Sequence, residues 1–497
     1  MNIFVRILSL VLAVLMLSSC FIACDSDAEQ TDKESSSATQ PTNTGDGSLE
    51  VVDWLGETYT ILGRDGNGRS QFDNFEVGYE ELPVDVVGIA VYKRNESLKS
   101  KYNFTVDPQF AVDVAATAQV AYESGDDLYD LVIYRHKDVQ AHAQSGYLLN
   151  IPELDYINLD YECWYDDVNE ELTIGDKLYY TTNNFLLQDK HRFWYMFYNR
   201  EIARDLNLGY FEDLVDDNKW TLENVTKITK QGYADKDSMP GRSPDDWYGY
   251  GAQEYYALVS LGFGAGFRIT EKDHNNIPKL VGATDQMINI LDNVFGLMYH
   301  NASWITPRED PGVANKSSEA ELMFNQGRLL LLSTFTSSID YFLSDDEFFE
   351  YGVLPNPKLD EEQENYYSFT HTTTGSFFAV PYTVFDEEFA GYALEAISEE
   401  STDTSYTAYI DTKCKYQDAY DEDCARMFDL CFRSCTYDVA AFCDFGGIFT
   451  SLISGGDGGK GSLAYLGKGS FYKRLFDSNK KAAQADIDEI VEIYTAQ

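Results

Sequence analysis

Basic residues are scarce in this chain of 497 residues. It has 37 Lys and Arg against 83 Asp and Glu, with six His, so its formal net charge at pH 7 is −46. A chain this acidic repels a phosphate backbone, which excludes nucleic acid as a partner. Hydrophobic residues make up 44% of the sequence, and this share is typical of a globular protein and too high for a disordered one.

Motifs for catalysis and for cofactors are lacking as well. Neither HExxH nor GxSxG occurs. The segment from Ser454 to Gly461 resembles a phosphate-binding loop, but it has Ser where the motif needs its first Gly and Gly where it needs Ser or Thr. Cys431 and Cys435 lie four residues apart, without CxxC spacing or a nearby His, so they do not form a zinc motif. We therefore expect no enzymatic activity, no metal and no cofactor.

A long apolar run occurs only at the start of the chain. Arg6 precedes a run from Ile7 to Leu17, and small residues follow before Cys20 and Cys24. This pattern indicates a secretory signal over residues 1–24, although the run also reaches the lower length limit for a transmembrane anchor. Both cysteines end a segment similar to the bacterial lipobox, and we favour Cys24 over Cys20 as the lipidated residue.

The segment that follows has nothing to bury. Residues 25–48 contain no Val, Ile, Leu, Met or aromatic residue, and we expect a disordered tether over 25–50. Six further cysteines remain for the folded part, and their pairing is open between buried thiols and one or two disulfides. They are Cys163, Cys414, Cys424, Cys431, Cys435 and Cys443.

Beyond the tether, short apolar runs alternate with helical stretches. Strands are predicted at 58–62, 104–106, 131–134 and 328–335, a helix at 84–102, and a mostly helical C-terminal third. This alternation predicts an α/β protein with βαβ units, in which ligands bind outside the C-terminal ends of the strands. The loops that begin at Gly63 and Tyr134 are the first places to look for a site.

Several segments resemble, in order, the extracellular solute-binding proteins of bacterial ABC importers. The similarity is to the carbohydrate-type branch, family 1, which includes maltodextrin-binding protein, and it extends over nearly all of residues 51–497. The segments are 91–95 with 99–103, 127–133 with 143–149, 197–201, 219–222, 324–328, 351–355, 378–381 and 389–395.

The resemblance implies an α/β, two-lobe, periplasmic-binding-protein-like (type II) fold with a ligand cleft between lobes joined by a hinge. Residues 51–182 and 375–410 would form lobe 1, and 183–370 with 411–497 would form lobe 2. The chain would cross between lobes near 180–184, 368–375 and 409–413.

A sugar site needs flat aromatic rings and charged or amide hydrogen-bonding groups, and the chain offers 14% aromatic residues. Packing, or a solvated turn, is the alternative role for each candidate. In lobe 1 the resemblance and the strand ends point to Arg64, Asp65, Asn67, Tyr134, Lys137 and Asp138. At the hinge and in lobe 2 they point to Asn183, Asn184, Trp247, Glu254, Tyr256, Phe335 and Phe445.

The sequence thus predicts a monomeric substrate-binding protein, held by lipid at the extracellular face of a bacterial cell membrane. It would capture a carbohydrate, an oligosaccharide, and deliver it to the permease subunits of an ABC transporter. Two alternatives stay open: a surface-anchored glycoside hydrolase, and a binding protein for another solute, such as a peptide or a cationic compound. Two carboxylates facing each other about 5 to 10 Å apart would favour the hydrolase.

Overall fold

The structure is a computed structural model of a mixed α/β protein. It describes residues 49–68, 73–236, 242–243, 245–306, 319–338, 350–370, 372, 375–414, 422–454 and 469–496. These ranges belong to one compact unit, 42–497. The predicted signal segment with Cys20 and Cys24, nearly all of the tether, and the glycine-rich segment after Ser454 lie outside the described residues.

Thirteen strands occur in the described ranges. They are β1 (Glu57–Arg64), β2 (Phe104–Ala111), β3 (Leu131–Arg135), β4 (Phe193–Asn199), β5 (Tyr248–Gln253), β6 (Thr270–Lys272), β7 (Pro278–Leu280), β8 (Ser303–Thr306), β9 (Leu329–Phe335), β10 (Tyr351–Leu354), β11 (Ser368–Thr370), β12 (Ser376–Ala379) and β13 (Cys435–Thr436).

Helices follow most of the strands and are numerous in the C-terminal third. They are α1 (Val86–Tyr102), α2 (Val114–Ser124), α3 (His136–Gln144), α4 (Asp166–Leu172), α5 (Leu187–Lys190), α6 (Arg200–Asp205), α7 (Glu212–Asp216), α8 (Leu222–Gln231), α9 (Glu254–Gly264), α10 (Asp285–Met298), α11 (Glu319–Asn325), α12 (Glu387–Ser401), α13 (Thr407–Cys414), α14 (Glu422–Arg433), α15 (Val439–Cys443), α16 (Ile448–Ser454) and α17 (Gly469–Ala496).

The first sheet, which with its helices we call lobe 1, has the strand order β12-β3-β1-β2. Strands β1, β2 and β3 are parallel, and β12 runs antiparallel to β3. Side chains alternate between the two faces of a strand. Leu131 and Ile133 of β3 therefore pack into one hydrophobic core, while Val132 and Tyr134 pack into another.

The second sheet, which with its helices we call lobe 2, has the order β13-β11-β4-β9-β5-β8, with β10 also paired to β4. Strand β4 is central, and every one of its residues is buried. It runs antiparallel to β9, and Trp194 is paired with Phe335. Strand β5 runs parallel to both β9 and β8. A two-sided buried sheet explains why β4 and β9 are continuous apolar runs in the sequence.

Short segments connect the two sheets. The segment before α5 is bonded to lobe 1 through Thr181, which pairs with Phe378 of β12, and α5 leads directly into β4. The return runs from β11 to β12. Residues 409–413, where a third crossing is predicted, lie within α13, which continues from α12 through a π-helical segment, Thr402–Tyr406.

The predicted strands are confirmed: β1, β2 and β3 extend beyond their predicted bounds, and β9 begins one residue later than predicted, at Leu329. The predicted helix at 84–102 begins at Val86, because the carboxylate of Asp85 accepts a hydrogen bond from the Gly88 N–H at 2.7 Å and caps the helix. The described cysteines are thiols: Cys163, Cys424, Cys431 and Cys435 are buried, and Cys443 is partly buried. None of those five forms a disulfide.

Candidate functional site

The candidate site lies between one edge of the lobe 1 sheet and one edge of the lobe 2 sheet. The C-terminal ends of the parallel strands β1 and β3 place Arg64 and Arg135 at one edge of the lobe 1 sheet. At the lobe 2 sheet, Arg192 directly precedes β4, and Phe335 ends the adjacent β9. We call the space between these four residues the cleft. Open α/β sheets bind ligands at such edges.

A buried polar network around Asp189 connects the two sheets. The Nε2 atom of His136, the residue that follows β3, lies 3.2 Å from Oδ1 of Asp189 in α5. Asp189 also accepts hydrogen bonds from the Tyr437 hydroxyl at 2.6 Å and the Thr370 hydroxyl at 3.2 Å. This network joins an end of the lobe 1 sheet to residues of the lobe 2 sheet.

The charge state of Asp189 follows from its neighbours. Burial alone would raise the pKa of its carboxyl, but the hydrogen bond and charge of His136, the charge of Lys190 and the Tyr437 hydroxyl lower that pKa below its usual value. Asp189 is therefore an ionised, fully satisfied group that fixes the crossing segment. Close packing adds to this rigidity, because a Cβ on Gly375 would lie 2.3 Å from the His136 ring.

Two other arginines, Arg135 and Arg192, act electrostatically on Arg64. Arg64 is 7% exposed. The pKa of its guanidinium is lowered to about 10, mainly by burial and then by the positive charges of Arg192 and Arg135, while Glu76 and Asp73 oppose the shift. Residues from both sheets therefore lie within electrostatic range of one another.

Arg64 and Arg192 each contact residues close to them in the structure. The backbone of Arg64 exchanges hydrogen bonds with Asn74, which donates to its carbonyl at 3.0 Å and accepts from its N–H at 2.7 Å. The guanidinium carbon of Arg192 lies 5.6 Å from the centre of the Phe335 ring, and its Nη1 lies 3.4 Å from the Ser337 hydroxyl.

Arg135 shares a carboxylate with a neighbouring lysine. Its Nε donates to Oδ2 of Asp138, and Nζ of Lys137 donates to the other oxygen at 2.7 Å. The predicted residues Lys137 and Asp138 thus lie at the lobe 1 edge of the cleft. The lysine side chain is 42% exposed, which leaves it reachable by a solute.

One partly exposed ring, Phe335, lies on the lobe 2 side and packs on buried rings behind it. Phe335 is partly exposed, and its ring lies 5.1 Å from that of the buried Trp194, which in turn meets Tyr255 edge to face at 5.2 Å. Near lobe 1, the rings of Phe75 and His191 lie 5.4 Å apart. The cleft therefore combines rings with cationic hydrogen-bond donors, which are the two group types that recognise polar ring compounds.

Asp65 and Asn67 lie in the turn after β1, and both are exposed. The Asp65 carboxylate accepts from the Asn67 N–H at 2.6 Å, and Asn67 has the left-handed φ of 54°. These side chains shape the turn, and their contact with a solute stays a prediction.

Tyr134 does not lie where a ring on the cleft wall would lie. It is 0% exposed, and its hydroxyl bonds to the Tyr122 hydroxyl at 2.6 Å and to Nδ1 of His142 at 3.0 Å. The cause is register: β3 continues to Arg135, so Tyr134 is not its last residue and shares the helix-covered face with Val132. The structure thus corrects the expected orientation of this ring.

Asn183 and Asn184 lie in the segment between the two sheets, and both are 0% exposed. The Asn183 side chain donates to the Ser398 hydroxyl at 2.8 Å, and that of Asn184 donates to the Thr402 hydroxyl at 3.0 Å. These bonds connect the crossing segment to α12 and to the π-helical segment that follows it. In this structure the two amides hold the hinge together and do not face the cleft.

The candidate residues of lobe 2 do not lie together. Glu254 begins α9, directly after β5, and is on the cleft side, whereas Trp247 precedes β5 at the opposite end of that strand. Six strand residues span about 20 Å, so Trp247 is remote from the cleft. Phe445 is 2% exposed among the C-terminal helices. Tyr256 lies in the first turn of α9, and its side chain is not among those described.

Arg135, Arg192 and Asp189 were not predicted from the sequence as site residues. A signal existed for Arg192, since it stands directly before the apolar run 193–198 that forms the central strand. Phe442, close to the candidate Phe445, reaches the His136 ring at 6.4 Å. Only the folded chain shows which of these neighbours faces the cleft.

Two α/β sheets that face each other across a cleft and are joined by short crossings define the periplasmic-binding-protein-like, type II fold. Solved structures show the same architecture. MalE, the sugar-binding protein of the phytopathogen Xanthomonas citri, matches with a TM-score of 0.53 and 12% identity over 88% of this chain and 98% of its own. A cyclo/maltodextrin-binding protein complexed with maltotetraose matches with a TM-score of 0.52 and 12% identity over 89% and 97%.

A third similar structure is UgpB from Mycobacterium tuberculosis in complex with glycerophosphocholine, with a TM-score of 0.50 and 16% identity over 80% of this chain and 95% of its own. No protein-family model matches the sequence, and no curated protein matches it. Among the described residues, no three His, Cys, Asp or Glu side chains gather as a metal site. No helix in those same ranges is long and apolar enough to cross a membrane.

Proposed function

We propose that this protein is the extracellular substrate-binding protein of an ABC importer. Its ligand is a carbohydrate, specifically an oligosaccharide. The protein captures this sugar between its lobes and delivers it to the permease without changing it chemically. The observation that carries the proposal is the cleft itself: two sheet edges, joined by short crossings, present Phe335 and charged side chains to one space. The similar structures include proteins complexed with maltotetraose and with glycerophosphocholine, which supports a polar, hydroxyl-rich solute.

The remaining parts of the proposal follow from the sequence. Lobe 1 consists of 51–182 and 375–410, and lobe 2 of 183–370 and 411–497. A lipid on Cys24, or on Cys20, holds the monomer at the outer face of the cell membrane, and the segment 25–50 is the tether. Rotation about the crossings closes the lobes over the solute.

A thermal-shift screen against a panel of oligosaccharides tests binding directly. A solute present at about 100 times its Kd raises the free energy of unfolding by about 2.7 kcal/mol. Small-angle scattering of the same mixture should show a smaller radius of gyration, because closure brings two rigid bodies together. Chromatography of the recovered sugar separates binding from hydrolysis: an intact sugar supports the proposal, and shortened products would establish the hydrolase instead.

A matched pair of variants locates the site. Phe335→Ala removes a partly exposed ring at the cleft, and Phe385→Ala removes a ring that is 91% exposed beyond the far end of β12. We expect Phe335→Ala to weaken binding by about 1 to 3 kcal/mol and Phe385→Ala to leave it unchanged. Equal losses in both variants, or no loss in either, would remove the cleft as the site.

A further inference from the structure

The outermost strand of the lobe 1 sheet, β2, ends in an aromatic ring that the core does not enclose. Phe104, Val106 and Phe110 share one face of β2, because side chains alternate between the two faces of a strand. Phe104 is 0% exposed and Val106 is 7% exposed, whereas Phe110 is 46% exposed. Val112, two residues further on, is 57% exposed. The apolar face of β2 therefore leaves the core and reaches solvent at the carboxyl end of the strand.

This ring lies at the sheet edge that forms the cleft. Strands β1 and β2 are parallel, with Phe110 paired to Gly63 and Ala111 paired to Arg64. Arg64 is one of the four residues that define the cleft, so Phe110 lies at the same edge, one strand farther out. Tyr134, in contrast, is 0% exposed and packs into the lobe 1 core. Phe110 therefore offers the aromatic surface at this edge that Tyr134 does not.

The neighbouring strand fixes the position of the ring. A Cβ atom on Gly63 would lie 3.3 Å from Cε1 of Phe110, so the glycine lets the ring pack directly on the backbone of β1. The same Cβ atom would lie 3.1 Å from Cβ of Asn74, whose side chain accepts a hydrogen bond from the Arg64 N–H at 2.7 Å. The ring is thus held along one side while nearly half of the residue stays open to solvent. A fixed, half-exposed ring is what stacking on the C–H face of a sugar requires.

The strand order places Phe110 away from the crossings. The crossing segment contacts β12, His136 after β3, and Glu76 in the loop after β1. Strand β2 lies beyond all of these, about 10 Å from β3, because neighbouring strands are about 4.8 Å apart. On lobe 2, Phe335 lies close to the crossings, since the Ser337 N–H donates to the His191 carbonyl at 3.2 Å. The two partly exposed rings therefore mark an inner and an outer part of the cleft.

We propose that Phe110 is the outer aromatic platform of the cleft, and that the solute is at least a trisaccharide lying across the strand ends with its outermost unit stacked on this ring. This inference rests on the proposed function and adds the length of the sugar to it. One pyranose unit lengthens an oligosaccharide by about one strand spacing, roughly 5 Å, so a chain that extends from the end of β3 to the end of β2 has three units. A disaccharide held near Phe335 does not reach Phe110.

The experiment measures affinity against chain length. Isothermal calorimetry on the full chain uses three homologous series: maltose to maltohexaose, cellobiose to cellohexaose and xylobiose to xylohexaose. We expect members of one series to bind, with an affinity that rises by roughly tenfold at the trisaccharide or the tetrasaccharide, where the sugar reaches the outer ring, and stays level beyond it. A disaccharide that binds as tightly as every longer member would overturn the inference without any variant.

Variants locate the length dependence. Phe110→Ala should weaken binding of the long members roughly tenfold and leave the disaccharide within about twofold. Phe110→Tyr, which keeps a flat ring, should restore most of the gain with length. Phe335→Ala should instead weaken every member, because its ring lies near the crossings. Phe385→Ala is the matched control, since it removes a ring that is 91% exposed beyond the far end of β12, and its affinities should stay within about twofold.

The outcomes separate this inference from the proposed function. A loss confined to the long sugars in Phe110→Ala supports the outer platform. An equal loss at every length, or no loss at any length while sugar still binds, overturns the platform and leaves the solute-binding function intact. The melting temperature of each ligand-free variant shows whether it folds, and the length dependence of the unaltered protein decides the matter where a variant does not. Binding of no sugar in any series counts against both proposals.

Discussion

Replacement of Tyr134 distinguishes core packing from ligand contact. Its hydroxyl bonds to the Tyr122 hydroxyl at 2.6 Å and to Nδ1 of His142 at 3.0 Å, and all three residues are buried. Tyr134→Phe keeps the ring and removes both bonds. A buried polar group that loses its partner costs about 1 to 3 kcal/mol, so we expect the free energy of unfolding to fall by roughly 2 to 4 kcal/mol for two such groups.

Tyr134→Ala adds a cavity to this loss. Truncation of a buried aromatic ring costs about 3 to 5 kcal/mol, and the ring is 0% exposed. Because that ring faces α2 and α3 and not the cleft, the affinity of the folded variant for its solute should change less than about twofold. Burial also raises the pKa of the Tyr134 hydroxyl far above its usual value, so the bonds are those of a neutral phenol at any pH where the protein is folded.

Urea unfolding of the ligand-free protein gives the stability change, and calorimetry gives the affinity. Tyr210→Phe is the control, since that residue is 64% exposed and its change should stay within about 0.5 kcal/mol. A double-mutant cycle with Tyr122→Phe should show a coupling of about 1 kcal/mol between the two hydroxyls. Unchanged stability with a tenfold loss of affinity in Tyr134→Ala would refute the packing role and return the ring to the cleft.

Three further predictions concern other parts of the molecule. Burial, with a smaller contribution from Glu399, raises the pKa of Glu395 from 4.5 to about 8. The folded state then holds a proton that the unfolded state has lost, so its stability falls as pH rises from about 4.5 to 8, and Glu395→Gln should flatten this fall in melting temperatures recorded across that range. Asp189→Asn should lower the free energy of unfolding by about 3 kcal/mol in denaturant titrations, because it weakens three buried contacts; a change below about 0.5 kcal/mol would contradict the network. Replacement of both Cys20 and Cys24 by Ser should release the protein into the medium, as fractionation of cells would show, and continued membrane association would revive the transmembrane anchor.

The strands could be predicted because their signals are local. The runs at 58–62, 131–134 and 329–335 are apolar enough to be buried whatever they pack against. Their order, together with the helical stretches between them, was sufficient to predict an α/β chain and the family resemblance. The lobe 1 edge followed from the same reasoning, since parallel strands end at one side of a sheet, and Arg64, Lys137 and Asp138 are found there.

Residue-level placement within the site could not be predicted with the same success. One additional strand residue, Arg135, turns Tyr134 into the lobe 1 core, because neighbouring positions on a strand point to opposite faces. Trp247 and Glu254 belong to one predicted stretch, and only the bounds of β5 show that they stand at opposite ends of it.

The sequence by itself determined the acidic charge, the apolar strands and the alternation that makes an α/β fold, because each depends on composition or on neighbours a few residues apart. The tertiary structure alone decided that Arg192 lies within electrostatic range of Arg64 and that His136 contacts Asp189. Those pairs are far apart in the chain, and their contact depends on how two sheets are joined and turned toward each other. Local patterns carry no information about that arrangement, so the site between the two sheet edges and the buried network around Asp189 can be seen only in the folded chain.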